Sequence, residues 1–253
     1  MGSGKFQKTD PNDARSVAIA ALRHPGLTMV GRDDHTRVLG LLAIRHRDVA
    51  RMKNKAGCRL HPLLTELAAG GLASEMTVNK ANSLLEQVDI TDAVTRQRVV
   101  IATELVDDIA RLETQMRASK KRIRLAVAAS GTTLCDIRGI GPIGAAIILG
   151  SVGDIIRFPT AGHFASYNAT APIEASSGDK RRHRLNPKGN RKLNHALHIA
   201  AVSQLRYPGQ GRDYYPKKIA EGKTSKEAIR ALKRRISNLV YRRLIADAKR
   251  GIN

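Results

Sequence analysis

TLCDIRGIGPIGAAIIL, residues 133–149, is the stretch of sequence that most constrains the fold. It predicts a helix, a Gly-Ile-Gly turn at 139–141, and a second helix with Pro142 at its first position, where proline is favoured. This order is typical of a helix-hairpin-helix. In that motif Gly139 and Gly141 allow backbone N–H groups at the start of the second helix to approach a phosphate. An ordinary turn between two closely crossing helices is the alternative interpretation.

The sequence before this stretch has the apolar spacing of long helices, which are expected to begin near Asp34, Thr77 and Thr91. The apolar positions that follow heptad spacing are Val38, Leu42, Val49, Met52, Ala56 and Leu63, and then Leu105, Ile109, Leu112, Met116 and Ile123. This pattern predicts two long antiparallel helices or a coiled-coil arm. A homo-oligomer is expected to form through this arm, and plain helix packing within one chain is the alternative.

After residue 149, predicted helices over 160–167, 190–205, 213–220 and 225–248 are separated by irregular segments, of which 171–189 is the least regular. Ser225 and Ala228 lack the acidic partner of a capping box, although Glu227 favours a helix start. Aromatic residues make up only 3% of the chain, and a core rich in Ala, Leu, Ile and Val suits helices. The fold class is therefore expected to be mainly α.

The charge of the chain indicates a polyanionic partner. The chain has 44 lysines and arginines against 22 acids, a net charge of +22. Such an excess destabilises a compact chain by self-repulsion unless a polyanion neutralises it, and DNA or RNA does so with release of counterions. Residues 171–250 alone carry a net charge of +15. That concentration favours a binding surface over a general aid to solubility.

Basic side chains near turns and helix starts are the candidate phosphate contacts in this region. They are Lys180, Arg181, Arg182, Arg184, Lys188, Arg191, Lys192, Arg234 and Arg235. An earlier basic run at 117–124, RASKKRIR, is either a solvated helix end or a further phosphate contact.

Other classes of protein are disfavoured by the composition. Cys58 and Cys135 are far apart and form no CxxC motif, so neither a disulfide framework nor a zinc site is expected. The chain has no stretch of 18 apolar residues and no signal-like start, which argues against export and membrane insertion. We therefore expect a protein of the reducing cytosol.

Two pairs of polar residues are candidates for chemistry. Asp10 and Asp13 either cap a helix, with Pro11 at its first position, or share one helical face and hold a divalent cation. Ser176 and Ser177 are either turn residues before Gly178 or hydroxyl nucleophiles, because nearby cations would stabilise charge at a phosphorus under attack. Spacing alone favours the structural interpretation of both pairs.

Several motifs, in one order along the whole chain, resemble those of the insertion-sequence transposases called the IS one-ten family, relatives of the pilin-gene invertases. The first is KTDPNDA at 8–14, which is similar to the family's KTDxxDA element. The others are the stretch from residue 137 to 146, GDIIRF at 153–158, SSG at 176–178, NPKGNR at 186–191 and the segment 196–201. Together these matches are specific, although each alone is weak.

The resemblance implies a DNA recombinase with a ribonuclease-H-like DEDD domain that binds magnesium, a coiled-coil arm, and a helical domain with a catalytic serine. That serine forms a transient phosphoserine link to DNA, and an element-encoded RNA guides the choice of target. Asp10 and Asp13 match the last two acids of the tetrad and would be magnesium ligands. Ser176 or Ser177 matches the serine, with Ser176 slightly preferred. A location in the bacterial cytoplasm, associated with the nucleoid, is implied.

The chain departs from the family pattern at its N-terminus, because no strand bearing the first Asp and the Glu precedes Lys8. We therefore expect a truncated or split family member with an incomplete magnesium site. Its expected parts are a remnant of the ribonuclease-H-like domain at 1–33, the arm at 34–128, and a C-terminal transposase domain at 129–253. The leading hypothesis is a transposase that cleaves and transfers DNA strands. The alternative is a non-catalytic DNA- or RNA-binding remnant.

Overall fold

The computed structural model describes residues 10–23, 34–68, 76–174, 183–184, 186 and 188–251, and these are mainly α-helical, as predicted. The helices in chain order are α1 (Asp10–Arg23), α2 (His35–Leu67), α3 (Val78–Glu86), α4 (Ala93–Ala129), α5 (Pro142–Val152), α6 (Ala161–Tyr167), α7 (Arg191–Arg206), α8 (Gln210–Ala220) and α9 (Ser225–Lys249). Two single 3-10 turns, Leu134–Asp136 and Ile155–Arg157, and two short strands, β1 (Ile173–Glu174) and β2 (His183–Arg184), complete the described secondary structure. None of the described helices is both long and apolar enough to cross a membrane.

The chain divides into two units, 1–33 and 34–253. In the first unit, every side chain of α1 is exposed, and Asp10 and Asp13 lie in its first turn. The assignment of this unit to a ribonuclease-H-like remnant stays a prediction. The second unit contains α2 to α9.

α2 and α4 are the two long antiparallel helices that the apolar spacing predicts. Arg98 near the start of α4 forms an ion pair with Glu66 near the end of α2, at 2.7 Å. Further along, Lys53 and Glu113 form a second ion pair at 2.8 Å. Between these two ion pairs the residue number falls along α2 as it rises along α4, so the two helices are antiparallel.

Aspartates begin both long helices, because their carboxylates accept backbone N–H groups that have no partner within the helix. Asp34 accepts the N–H groups of the first turn of α2, and Asp92 does the same for α4.

The outer part of the α2–α4 pair and α3 share a small core of their own. It consists of Ala56, Leu60, Leu64, Ala81, Leu85, Ala102, Val106 and Ile109.

The buried face of α2 differs from the predicted one. Val49 and Ala56 are buried as predicted, but Val38 and Met52 are 52% and 42% exposed. The other buried apolar positions of the helix are Leu39, Ala43, Leu60 and Leu64. Over its 33 residues a straight helix drifts away from a seven-residue repeat. α2 also packs on α5 as well as on α4, so a single heptad stripe does not describe its buried face.

The inner ends of α2 and α4 share one hydrophobic core with α5, α7 and α9. The side chains that the long helices contribute are Leu39, Ala43, Ile123 and Val127. α2 crosses α5 at Gly40 and Gly150, where a methyl group on Gly150 would lie 2.3 Å from Gly40 Cα. The two backbones are therefore in contact. The predicted boundary at residue 128 stays a prediction, and one continuous core crosses it.

Residues 133–149 form a shorter motif than predicted. The part before the glycine turn is one 3-10 turn, Leu134–Asp136, and not an α-helix, whereas α5 begins at Pro142 as predicted. The buried carboxylate of Asp247 anchors this segment, because it accepts the backbone N–H of Thr133 at 2.9 Å and the Thr133 hydroxyl at 2.7 Å. The helix-hairpin-helix interpretation stays a prediction.

The start of α9 corrects one prediction from the sequence. The helix begins at Ser225 as expected, but its cap is Thr224, and a capping box is present. The backbone N–H of Thr224 donates to Glu227 Oε2 at 3.0 Å, while Thr224 Oγ1 accepts the backbone N–H of Glu227. Each residue thereby provides a partner for the other's free N–H group.

Candidate nucleic-acid interface

A groove of about 780 Å³ lies between the inner half of α4, the start of α5 and one face of α7. α4 contributes four exposed cations within about two helical turns: Arg117, Lys120, Lys121 and Arg124. The opposite side is formed by the glycine turn with Gly139 and Gly141, and by His195 and Ile199 of α7.

A second groove of about 570 Å³ adjoins the first, since both are lined by Ile147 and His195. Its cations come from α2 and the start of α7. They are Arg47, Arg51, Arg191 and Lys192. We refer to the two grooves together as the basic groove. Eight lysines and arginines line it, and none of the described residues that line it is an aspartate or glutamate.

The cations of the basic groove have no neutralising partners within the described part of the chain. The ion pairs found there join other residues, such as Lys53 to Glu113 and Arg98 to Glu66. Burial and the positive charge of Lys120 lower the pKa of the neighbouring His46. Arg47 Nε is buried without a hydrogen-bond partner. Unpaired cations crowded in one concavity produce a positive potential that attracts anions.

The N-terminus of α5 adds backbone N–H groups to this surface. Gly141 is the N-cap residue, and no side chain caps the helix. Most other helices of the second unit have a side-chain cap, as at Asp34, Asp92 and Thr224. The first N–H groups of α5 are thus left for an external acceptor, and the helix dipole favours an anion there.

The two glycines of the turn have different structural roles. Gly139 has φ +86°, and a methyl group there would lie 2.6 Å from the carbonyl oxygen of Ala200. This glycine is required for the packing of the turn on α7. A methyl group on Gly141 would meet nothing within 4 Å, so packing alone does not explain a glycine at that position.

Four of the nucleic-acid-binding residues predicted from the sequence meet in the basic groove: Gly139, Gly141, Arg191 and Lys192. The other described candidates lie elsewhere. Arg234 and Arg235 line two separate cavities, and Lys188 is exposed beside Asn186, whose Oδ1 accepts the backbone N–H of Lys188.

The predicted serine segment falls largely outside the described residues. β1 and β2 pair antiparallel, with Ile173 opposite Arg184 and Glu174 opposite His183, and the numbers 175–182 lie between them. The candidates Ser176, Ser177, Lys180, Arg181 and Arg182 are therefore not located by the structure. Of Arg184, only the backbone position in β2 is described.

Asp10 and Asp13 lie one helical turn apart in α1, and both are exposed. In the part of the chain that the structure describes, no group of three or more His, Cys, Asp or Glu side chains is placed to hold a metal ion. These two carboxylates by themselves do not make a complete magnesium site, because this cation needs a near-octahedral set of oxygens. Further ligands would have to come from water, substrate or other residues.

Sequence reasoning missed Arg47 and Arg51 of α2. Their spacing of four residues places them on one helical face, and this was the available signal. The spacing gives no indication, however, that this face lies next to the start of α7. That neighbourhood follows from the close crossing of α2 and α5 at Gly40 and Gly150.

Residues 131–216, which include α5 and α7, match the transposase family described as IS116/IS110/IS902. This part of the chain therefore belongs to that family, and the resemblance noted in the sequence is confirmed. It is similar to the uncharacterized 43.6 kDa protein of insertion element IS110 from Streptomyces coelicolor, with 32% identity over 222 residues, covering 85% of this chain and 54% of that protein.

Two further relatives support the same family. A probable family 20 transposase from Pseudomonas aeruginosa is 27% identical over 184 residues, which cover 70% of this chain and 53% of that protein. The uncharacterized 44.8 kDa protein of insertion element IS116 from Streptomyces clavuligerus is 29% identical over 162 residues, covering 59% and 41% of the two chains. The chain thus spans about half the length of the curated relatives it matches.

Proposed function

We propose that this chain is the nucleic-acid-binding part of an insertion-sequence transposase and that DNA lies in the basic groove. The observation that carries the proposal is the groove itself: eight cations from three helices converge with an uncapped helix N-terminus, and none of the described lining residues is an acid. The match of residues 131–216 to a transposase family supports DNA as the polyanion.

The basic groove would act mainly on phosphates. Flexible lysines and arginines on α4 and α7 neutralise successive phosphates, and the counterions released on binding supply most of the affinity. The N–H groups at the start of α5 position one phosphate, since backbone donors at a helix N-terminus have fixed directions. Such contacts set the register of a nucleic acid and do not read its bases. The proposal extends to an element-encoded guide RNA, which offers the same phosphates.

We further propose that a serine, Ser176 or Ser177, performs the strand cleavage. Its hydroxyl oxygen attacks a DNA phosphorus, a phosphoserine ester forms, and the bond from phosphorus to the departing DNA oxygen breaks. The serine proton ends on that oxygen. A DNA hydroxyl then attacks the phosphoserine, and the serine regains a proton. Each step forms one phosphoester bond as it breaks one, so no external energy source is needed.

Magnesium belongs to this proposal only in part. Asp10 and Asp13 would contribute two carboxylate ligands from one turn of α1, and the ion would supply charge neutralisation at the reacting phosphate. Because the described residues do not complete the site, no step of the reaction is derived from it. Retention of the ion by this chain alone is expected to be weak.

The binding proposal is tested by the salt dependence of DNA affinity. The double variant Lys120→Ala/Lys121→Ala removes two charges from the groove, and Lys55→Ala/Arg59→Ala removes two exposed charges from the outer part of α2. For each DNA phosphate that the variant no longer neutralises, the slope of log K against log salt should become shallower by about 0.9 for duplex DNA. We expect a clear change for the groove variant and little for the control. Equal changes in both would contradict a localised groove.

The serine proposal is tested by covalent capture. Labelled DNA from the ends of the element is incubated with the protein, magnesium and element RNA, and compared with Ser176→Ala and Ser177→Ala. A protein–DNA adduct that disappears in one variant supports the reaction. Binding without any adduct in the wild type would favour the alternative, a non-catalytic DNA- or RNA-binding protein.

A homo-oligomer through the arm formed by α2, α3 and α4 is also part of the proposal. Exposed apolar side chains on its long helices include Met52 and Val100, although scattered exposed apolar residues also occur on monomers. Sedimentation of the wild type beside Met52→Lys/Val100→Lys tests it. A dimer in the wild type that is absent in the variant supports the arm as the interface, and a wild-type monomer contradicts it.

A further inference from the structure

A second basic cavity lies apart from the basic groove, and no described residue lines both. It has a volume of about 250 Å³ and lies between α9 and the segment that leads into β1. The described residues that line it include four cations: Lys223, Arg230, Lys233 and Arg234. The volume corresponds to about eight water molecules at roughly 30 Å³ each, enough for a small anion and part of what carries it.

Lys233 is the unusual member of this set because it is 7% exposed. Its Nζ donates to Asn194 Oδ1 at 2.7 Å, and among the described residues it has no acidic partner. A lysine ammonium has three N–H donors, so two are left for another acceptor. A buried cation is costly unless it is paired. Burial and the neighbouring Arg230 lower the pKa of Lys233, as expected for an uncompensated charge.

Among the described residues, the one acid that lines the cavity does not provide the missing charge. Glu227 accepts the backbone N–H and the hydroxyl of Thr224 in the capping box, at 3.0 and 2.7 Å. It also lies 3.7 Å from Arg230, in a loose ion pair. Its carboxylate is therefore committed to the start of α9.

Hydrogen bonds fix the orientation of Asn194, the acceptor of Lys233. The side-chain amide of Asn194 donates to the backbone oxygens of Asn168 and Ala169, at 2.8 and 3.2 Å, which directs its own oxygen to Lys233. Ala169 has φ +58°, a left-handed conformation that is uncommon for alanine. Strained backbone of this kind persists where surrounding contacts enforce it, and it is frequent at ligand sites.

We propose that this cavity, the Lys233 pocket, is a phosphate-binding site in which Lys233, Arg230 and Arg234 hold one phosphate group. Phosphate has the charge and the number of acceptor oxygens that three neighbouring cations require. The site goes beyond the proposed function, since it neither overlaps the basic groove nor requires nucleic acid to be bound there.

Isothermal titration calorimetry of the whole chain with inorganic phosphate tests the proposal. Wild type should bind one phosphate, and Lys233→Met should weaken binding at least about tenfold, as expected when a charged partner is removed. Lys233→Arg should retain binding, and Lys55→Met, at an exposed lysine of α2, should match the wild type. If Lys233→Met does not fold, Arg230→Gln replaces it with the same expected weakening.

A second readout separates a ligand site from a purely structural lysine. With ¹⁵N-labelled lysine, NMR titration of Lys233 Nζ should show its pKa rising when phosphate is added. Absence of phosphate binding, or binding unaffected by both Lys233→Met and Arg230→Gln, would overturn the proposal. Binding that persists in Lys120→Ala/Lys121→Ala would support the pocket even if the basic groove failed its own test, and abolished binding in that variant would overturn it.

Competition identifies the source of the phosphate. A short single-stranded oligonucleotide without terminal phosphates and a nucleoside monophosphate each compete against inorganic phosphate. Competition by the oligonucleotide supports a phosphodiester of a nucleic-acid backbone as the ligand. Competition by the monophosphate alone supports a phosphate monoester.

Discussion

Alanine at Gly141 should weaken nucleic-acid binding while the protein stays folded. A methyl group at this position meets nothing within 4 Å in the protein itself, and Gly141 has φ −88°, which alanine adopts readily. Replacing glycine by alanine at an N-cap costs about 1 kcal/mol or less. If a phosphate lies on the N–H groups of α5, the added methyl group interferes with it. Loss of one hydrogen bond to a charged group, roughly 1.5 kcal/mol or more, weakens binding about tenfold.

Gly139→Ala, in contrast, should destabilise the folded protein. Its φ of +86° costs an L-residue about 1–2 kcal/mol, and the methyl group would lie 2.6 Å from the carbonyl oxygen of Ala200. An approach that short requires the turn or α7 to shift. We expect a total loss of at least about 2 kcal/mol in the free energy of unfolding, in the range typical of strained backbone positions.

Urea unfolding and fluorescence anisotropy with labelled duplex DNA measure the two effects separately. The expected result is a stable Gly141→Ala variant with weakened DNA binding, and a destabilised Gly139→Ala variant. Unchanged DNA affinity of Gly141→Ala at several salt concentrations would refute the role given to the start of α5. Near-native stability of Gly139→Ala would refute the packing argument.

Three further predictions concern other parts of the molecule. Burial alone would raise the pKa of Asp247, but hydrogen bonds from Thr133 and Thr132 outweigh it and hold that pKa below its usual value. The stability that Asp247 contributes is therefore present above the unfolded pKa and is lost as pH falls through the lower folded pKa. Asp247→Asn should lower the free energy of unfolding by about 1.5–3 kcal/mol at neutral pH. The variant should also show a smaller loss of melting temperature between neutral and acid pH than the wild type. Gly150→Ala should destabilise the protein by about 1–3 kcal/mol through overpacking against α2, measured by urea unfolding, with the unobstructed Gly57→Ala as control. Alanine at Arg181, Arg182 and Arg184 should weaken DNA binding and make the slope of log K against log salt shallower. An unchanged slope would show that this segment is not part of the binding surface.

The sequence predicted the helix starts well, because a helix start depends on a capping residue or a proline within the same few residues. Asp34 starts α2 as expected, and Pro142 is the first residue of α5. The capping box of α9 was overlooked because the cap was placed at Ser225 and not at Thr224. An error of one residue at a helix end is enough to change which side chains face each other, since capping depends on a fixed spacing.

The basic groove was only half predictable, for a tertiary reason. Its glycines and the cations at the start of α7 stand out in the sequence, but α2 contributes Arg47 and Arg51, which precede Arg191 by 140 residues or more. They reach the groove because Gly40 and Gly150 let two helix backbones touch. No periodicity within α2 indicates which helix will cross it, or where.

The burial of Lys233 could not be foreseen either. In the sequence it belongs to the basic run KRR at 233–235, whose members look equivalent. In the fold their environments differ: Lys233 is buried against Asn194, Arg234 is half-buried at the same cavity, and Arg235 lies over the ring of Tyr214. Helical rotation of about 100° per residue separates their environments.

Lysine acetylation with and without duplex DNA, read by mass spectrometry, tests the central claim most directly. DNA bound in the basic groove should protect Lys120, Lys121 and Lys192, while Lys55 on the outer part of α2 should react at an unchanged rate. Protection of all four lysines to the same degree, or of none of the three in the groove under conditions where DNA is bound, would contradict the account.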